Sequence, residues 1–207
     1  MDRADLPELL EDPSLSEEVV AHAYIDLART QRFLGNYAAM ISKLRESEPR
    51  RVLDIGCGQG ALLAEIHKKL GVEVVGFDLR PCPGAAVPIV AGNAAIDPLP
   101  EADTAISVCL MHHLSEEDAV SLIRNASKSC CRLILLDLVR HWIPLALFRV
   151  FVSPFLHPIN AADGITSVKR AYTPRELRNI ADRAAPGARI KHDVAPFHTR
   201  QIIEIEF

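Results

Sequence analysis

The chain has no excess of positive charge, no uninterrupted hydrophobic run, no repeat and no cysteine spacing of a metal site, and each absence closes a class of function. With 23 Lys and Arg against 27 Asp and Glu, the formal net charge is −4. It therefore lacks the basic footprint that most nucleic-acid binders carry, and no nucleic-acid partner is expected. The most apolar stretch, residues 142–156, is interrupted by Pro144, Arg149 and Pro154. Since about 20 apolar residues are needed to cross a bilayer, no membrane span is expected. The acidic N-terminus has no hydrophobic signal core, which points to a cytoplasmic protein. Five cysteines, Cys57, Cys82, Cys109, Cys130 and Cys131, fall at no ligand spacing, and the adjacent Cys130 and Cys131 are poorly placed to bridge each other. Reduced thiols, with no metal and no disulfide framework, are the expectation. What remains is an ordinary globular composition, 49% hydrophobic and 24% charged over 207 residues, enough for one well-cored unit.

The informative stretch is Val52-Leu53-Asp54-Ile55-Gly56-Cys57-Gly58-Gln59-Gly60. An apolar run over residues 51–55 reads as a buried strand. Leu62, Leu63, Ile66 and Leu70 then recur at helical spacing, so the glycines sit between a strand and a helix N-terminus. Glycines there let the backbone turn sharply and approach a ligand closely. The spacing is not that of the dinucleotide fingerprint Gly-x-Gly-x-x-Gly. A helix N-terminus favours an anion, but Asp54 just before the loop would repel a pyrophosphate and suits a ligand bearing positive charge. S-adenosylmethionine has an ammonium, a sulfonium and no phosphate.

The rest of the pattern alternates. Ser14 with Glu17 forms a capping-box pattern opening a helix with Val20, Tyr24 and Leu27 on one face. Gly35 breaks it, and Asn36 can cap a second helix carrying Tyr37, Met40, Ile41 and Leu44. Strands are expected at 72–77, 88–91, 104–109 and 133–136, and Ser115 with Asp118 can cap a helix between the last two. Such alternation argues a parallel sheet with right-handed crossovers. A long connection follows at about 140–170, with an apolar helix expected over 145–155 that is either a lid or a surface for a second copy of the chain. Thr173-Pro174-Arg175-Glu176 starts another helix, closed by Pro186 and Gly187. Strands at 189–194 and 201–207, joined by a short loop, form a terminal hairpin that must reverse one strand.

Asp54-Ile55-Gly56-Cys57-Gly58-Gln59-Gly60 resembles the first motif of class I S-adenosylmethionine-dependent methyltransferases, Asp/Glu-x-Gly-x-Gly-x-Gly, and the reversed last strand extends the resemblance over residues 51–207. The resemblance implies an α/β, Rossmann-like seven-stranded sheet, mostly parallel with a reversed C-terminal strand and helices on both faces. Residues 1–48 are expected to form an N-terminal helical lid, and residues 49–207 the core. It implies cofactor contacts from Asp54, Gly56, Cys57, Gly58 and Gly60. Asp78, at the end of the second strand, can accept both ribose hydroxyls, with Leu79 beside it. Gly92-Asn93-Ala94 stands where the family has Gly-Asp-Ala, so Asn93 and Ala94 are expected at the adenine, without the charge. Leu110 precedes Met111-His112-His113-Leu114, similar to a His-His-Leu in many small-molecule methyltransferases. His113, or His112, is a candidate base, since ligands sit outside the C-terminal strand ends and an imidazole titrates near neutrality. Capping of the next helix is the alternative role.

Asp137-Leu138-Val139-Arg140 and Asp163-Gly164-x-x-Ser167-x-x-Arg170-Ala171-Tyr172-Thr173 resemble a bacterial subgroup associated with polyketide and quinone-like metabolism; Ala162 replaces its usual His. Asp137 and Arg140 are candidate substrate contacts, or Asp137 pairs with Arg170. Arg32 and Phe33 are expected at an acceptor wall, unless their helix simply packs on the sheet. The function implied is methyl transfer to a small phenolic or polyketide-derived acceptor, oxygen before carbon before nitrogen. An Asn/Asp-Pro-Pro-aromatic motif is missing from the loop. A nicotinamide-dependent oxidoreductase and a non-catalytic S-adenosylmethionine-binding protein are the competing classes.

Overall fold

A computed structural model describes residues 1–12, 14–81, 85 and 87–207; Cys82 lies outside the described residues. The strands are β1 (Arg51–Ile55), β2 (Glu73–Asp78), β3 (Ile89–Ala91), β4 (Thr104–Val108), β5 (Arg132–Asp137), β6 (Arg189–Val194) and β7 (Gln201–Glu206). They form one sheet in the order β3-β2-β1-β4-β5-β7-β6. The first five pair in parallel, and β7 runs antiparallel to both β5 and β6.

The helices are α1 (Glu17–Phe33), α2 (Asn36–Ser47), α3 (Ala61–Leu70), α4 (Glu116–Ala126), α5 (Trp142–Phe151), α6 (Pro158–Arg170) and α7 (Pro174–Ala184). Alternation along the strands divides the core into two layers. On β5, Leu133 and Leu135 face the cluster of α4 and α7, including Leu122, Ile123, Leu177 and Ile180. Ile134 and Leu136 face the opposite cluster, with Met40, Leu44, Leu62 and Ile66 from α2 and α3. Buried on both faces, these strands read as continuous apolar runs. No helix among the described residues is long and apolar enough to cross a membrane.

Three helix boundaries differ from the sequence pattern. Ser16, not Ser14, caps α1: its hydroxyl accepts from the Val19 N–H, while the Ser14 N–H donates to Asp12 Oδ1 at 2.8 Å. Gly35, with φ of 75°, takes the cap position of α2, and Asn36 falls inside the helix. The long connection holds two helices, α5 and α6, because Leu156-His157-Pro158 breaks the apolar run and Pro158 starts the second at its first turn. Trp142, Phe151 and Phe155 are left exposed there.

The first twelve residues form an extended strap ending in a tight 3-10 turn, Leu9–Glu11. The Arg3 guanidinium donates to the carbonyls of Arg170, His112 and Leu114 and stacks 4.0 Å above the Tyr172 ring. Farther along, the Leu9 and Leu10 N–H groups donate to the two oxygens of Asp163, at 2.7 and 3.0 Å. Asp163 thereby satisfies the open end of the turn.

Candidate active site

Strand order reverses between β1 and β4, and a crevice outside the C-terminal strand ends is the expected ligand site of such a sheet. A cavity of about 560 Å³ lies there. Gly56 and Gly58 form its floor with φ of 76° and 55°, a conformation that costs other residues dearly. A Cβ on Gly58 would stand 3.1 Å from the Tyr24 ring, and one on Gly56 would stand 3.0 Å from the Leu110 side chain. Asp78 braces the loop from β2: Oδ2 accepts the Gly58 N–H at 2.8 Å, and Oδ1 the Arg80 N–H at 2.9 Å.

Asp54 is 3% exposed, between β2 and β4 in the middle of the sheet. Among the described residues its carboxylate accepts no hydrogen bond, although it borders the cavity. Burial, and secondarily the Asp78 charge, push its pKa well above the ordinary carboxyl value. After β3, the Asn93 N–H donates to Asp97 and Asn93 Oδ1 accepts from the Ala95 N–H. Asn125 reaches over from α4 and pins the same loop by donating to the carbonyls of Ala94 and Asp97. One lone pair of the Asn93 side chain is thus already used by its own loop.

At the other end, β4 runs into Cys109, held at φ of 57° and touched by Gln31 Nε2 at 3.4 Å. The two histidines then part. His112 is 2% exposed, and its N–H and Nδ1–H both donate to Asp137, at 2.9 and 2.7 Å. His113 borders the cavity. Between them stands Glu8, carried in by the strap. Its Oε1 accepts from the Ser167 hydroxyl at 2.6 Å and lies 3.6 Å from His112 Nε2; its Oε2 lies 3.8 Å from His113 Nε2. Burial, and to a lesser extent the Asp163 charge, raises the Glu8 pKa, opposed by His113, Ser167 and Arg170. Glu8, His112 and His113 place three donor atoms within 4.8 Å of one another, but the Arg170 guanidinium acting on the same carboxyl opposes a metal cation there.

Of the residues expected at the cofactor, Asp54, Gly56, Cys57, Gly58, Asp78, Leu79, Asn93, Ala94 and Leu110 border this cavity. Gly60 instead sits at the start of α3 in a left-handed conformation. The expected substrate residues are placed elsewhere. Arg32 pairs with Glu65 and lies over Tyr37, and Phe33 is 80% exposed. The cavity-facing stripe of α1 is Tyr24, Leu27, Ala28 and Gln31, at helical spacing, which turns Arg32 and Phe33 away. Asp137 pairs with His112 rather than with Arg170. Arg140 is buried and donates to the Met1 and Ala171 carbonyls and to Glu176. Sequence reasoning missed Glu8 and gave Arg170 only a pairing with Asp137; the two approach the histidines through the strap and the packing of α6.

The sequence matches the methyltransferase domain family over residues 28–200. The chain belongs to this methyltransferase family. S-adenosylmethionine is its cofactor, and the strap with Glu8 precedes the matched region. No curated protein sequence matches the chain. Its fold is similar to that of human N-acetylserotonin methyltransferase in complex with S-adenosylmethionine, with a TM-score of 0.67 and 17% identity over 92% of this chain and 56% of that one. A Nostoc punctiforme protein described as a candidate O-methyltransferase superposes with a TM-score of 0.65 and 17% identity, over 89% of this chain and 59% of that one. This chain therefore spans less than two thirds of either. The plantazolicin methyltransferase in complex with S-adenosylhomocysteine gives a TM-score of 0.66 and 14% identity, over 88% of this chain and 89% of that one.

Proposed function

We propose that this methyltransferase transfers a methyl group from S-adenosylmethionine to an oxygen of a small acceptor, phenolic or polyketide-derived. The observation that carries the reading is Asp54: a buried carboxylate with no hydrogen-bond partner among the described residues, bordering a cavity, fits a ligand that brings cationic groups. It equally disfavours a dinucleotide, whose pyrophosphate would meet a negative charge. When bound, S-adenosylmethionine supplies a methyl group already activated by its sulfonium.

The protein's part is to bind, orient and manage one proton. Gly56 and Gly58 give the ligand access to backbone, Asp78 offers carboxylate oxygens to ribose hydroxyls, and Asn93 with Ala94 borders the adenine end. His113, at the acceptor end, takes the proton from an acceptor that arrives neutral. His112 holds the turn through Asp137. Tyr24, Leu27 and Ala28 wall the acceptor with apolar surface. Calorimetry with S-adenosylmethionine and NAD tests the cofactor, and S-adenosylhomocysteine formation with a panel of phenols and hydroxypyranones tests the transfer. Binding of NAD in place of S-adenosylmethionine would overturn the reading.

A further inference from the structure

We propose that the acceptor is bound as an oxyanion, a carboxylate or the enolate of an acidic enol, in the seat that the Glu8 carboxylate now fills. The proposal rests on the methyl-transfer reading of the cavity and adds the chemical class of the acceptor. The seat is built by groups brought together from separate parts of the chain. Ser167 donates its hydroxyl to Glu8 at 2.6 Å, His112 and His113 present ring nitrogens at 3.6 and 3.8 Å, and Arg170 acts on the same carboxyl. The chain itself thus shows that a carboxylate fits, only 8% exposed, at the acceptor end of the cavity.

The two neighbouring carboxylates are held by atoms other than those that face Glu8, although the Asp163 charge still acts on the Glu8 carboxyl. Asp163 is engaged by the Leu9 and Leu10 N–H groups, and Asp137 by His112 and the Leu138 N–H. With Glu8 withdrawn, the Ser167 hydroxyl and the His113 ring would face the cavity, with the Arg170 guanidinium supplying positive charge. Glu8 sits on a strap that joins no sheet and is held by contacts at Arg3, Ala4, Leu9 and Leu10. An incoming anion can exchange with it without disturbing the core. An acceptor already ionised has no proton to lose, so the seat asks of His113 only a hydrogen bond.

The test uses the full chain saturated with S-adenosylhomocysteine, and calorimetry at neutral pH with three probes: benzoate, the anion of 4-hydroxy-6-methyl-2-pyranone, and neutral phenol. Glu8→Ala should tighten at least one anion by about tenfold or more, the scale of a charge-assisted hydrogen bond, and leave phenol unchanged. Arg170→Ala in that background should reverse the gain. A response to benzoate alone assigns a carboxyl acceptor, and a response to the pyranone alone an enol. Should Glu8→Ala fail to fold, Glu8→Gln keeps an acceptor for Ser167, removes the charge and is judged by the same criteria. Unchanged or weaker binding of both anions, in a variant that still melts cooperatively and binds S-adenosylhomocysteine, overturns the proposal. A wild-type chain that does not bind S-adenosylhomocysteine would instead overturn the methyl-transfer reading.

Discussion

Asp54 and Glu8 are both carboxyls pushed upward in pKa by burial, but Glu8 has donors around it and Asp54 has none among the described residues. Asp54→Asn should therefore raise the melting temperature of the ligand-free protein while weakening S-adenosylmethionine in calorimetry. The sign follows from linkage: a raised folded pKa destabilises the fold above the unfolded value, so the gain is present at neutral pH and fades as pH falls towards 3.8. Gly58→Val should abolish cofactor binding, since a side chain there is strained at φ of 55° and pressed against Tyr24. Equal affinity in a folded variant would remove the loop from the site. His113→Ala should lower turnover of a neutral acceptor by about 10²–10⁴ with cofactor affinity kept. Part of that loss should return at high pH, where the acceptor ionises unaided. His112→Ala should instead cost stability, because it takes the Nδ1–H bond away from the buried Asp137.

Among the elements, α7 is the one whose start is written most fully in the sequence. Thr173 and Glu176 form a complete capping box behind Pro174. Thr173→Ala should destabilise the protein by about 1 kcal/mol in urea unfolding, and a change near zero would mean the box is redundant. The strap is the opposite case, an element with little internal bonding whose position depends on Asp163. Asp163→Ala should speed hydrogen exchange of the Leu9 and Leu10 amides, read by mass spectrometry, and leave the sheet's protection unchanged.

Across the whole molecule, Glu204 on β7 ties three elements together. Its side chain is 3% exposed and pairs with Lys43 of α2 and with Arg132 of β5. Burial alone would raise its pKa, but the bonds from Lys43 and Arg132 outweigh that and lower it. The stability it contributes is present above its unfolded value of 4.5 and is lost as pH falls through the lower folded value. Glu204→Gln should cost about 1.5–3 kcal/mol at neutral pH, the scale of hydrogen bonds to a charged group. The difference from wild type should shrink in acid; a pH-independent difference would show that the charge is not what matters.

The sequence by itself determined the alternation of strands and helices, the reversed terminal strand and the glycine loop with Asp54 and Asp78. Those features depend on local spacing: period, caps and turn residues act between neighbours, and a strand buried on both faces announces itself as an apolar run. It did not separate His112 from His113, since adjacent residues share a composition signal and differ only in which way the turn at Met111–His113 sends them. It expected Arg32 and Phe33 at the cavity, where the face of α1 instead presents Tyr24, Leu27, Ala28 and Gln31, and gave Arg140 a substrate contact where packing gave it Glu176 and two carbonyls. Tertiary structure alone decided that Glu8, Ser167 and Arg170 would meet at the histidines. Such a meeting depends on how α6 lies across the strand ends and where the strap is tied, and long-range electrostatic complementarity leaves no periodicity in the chain for a reader to find.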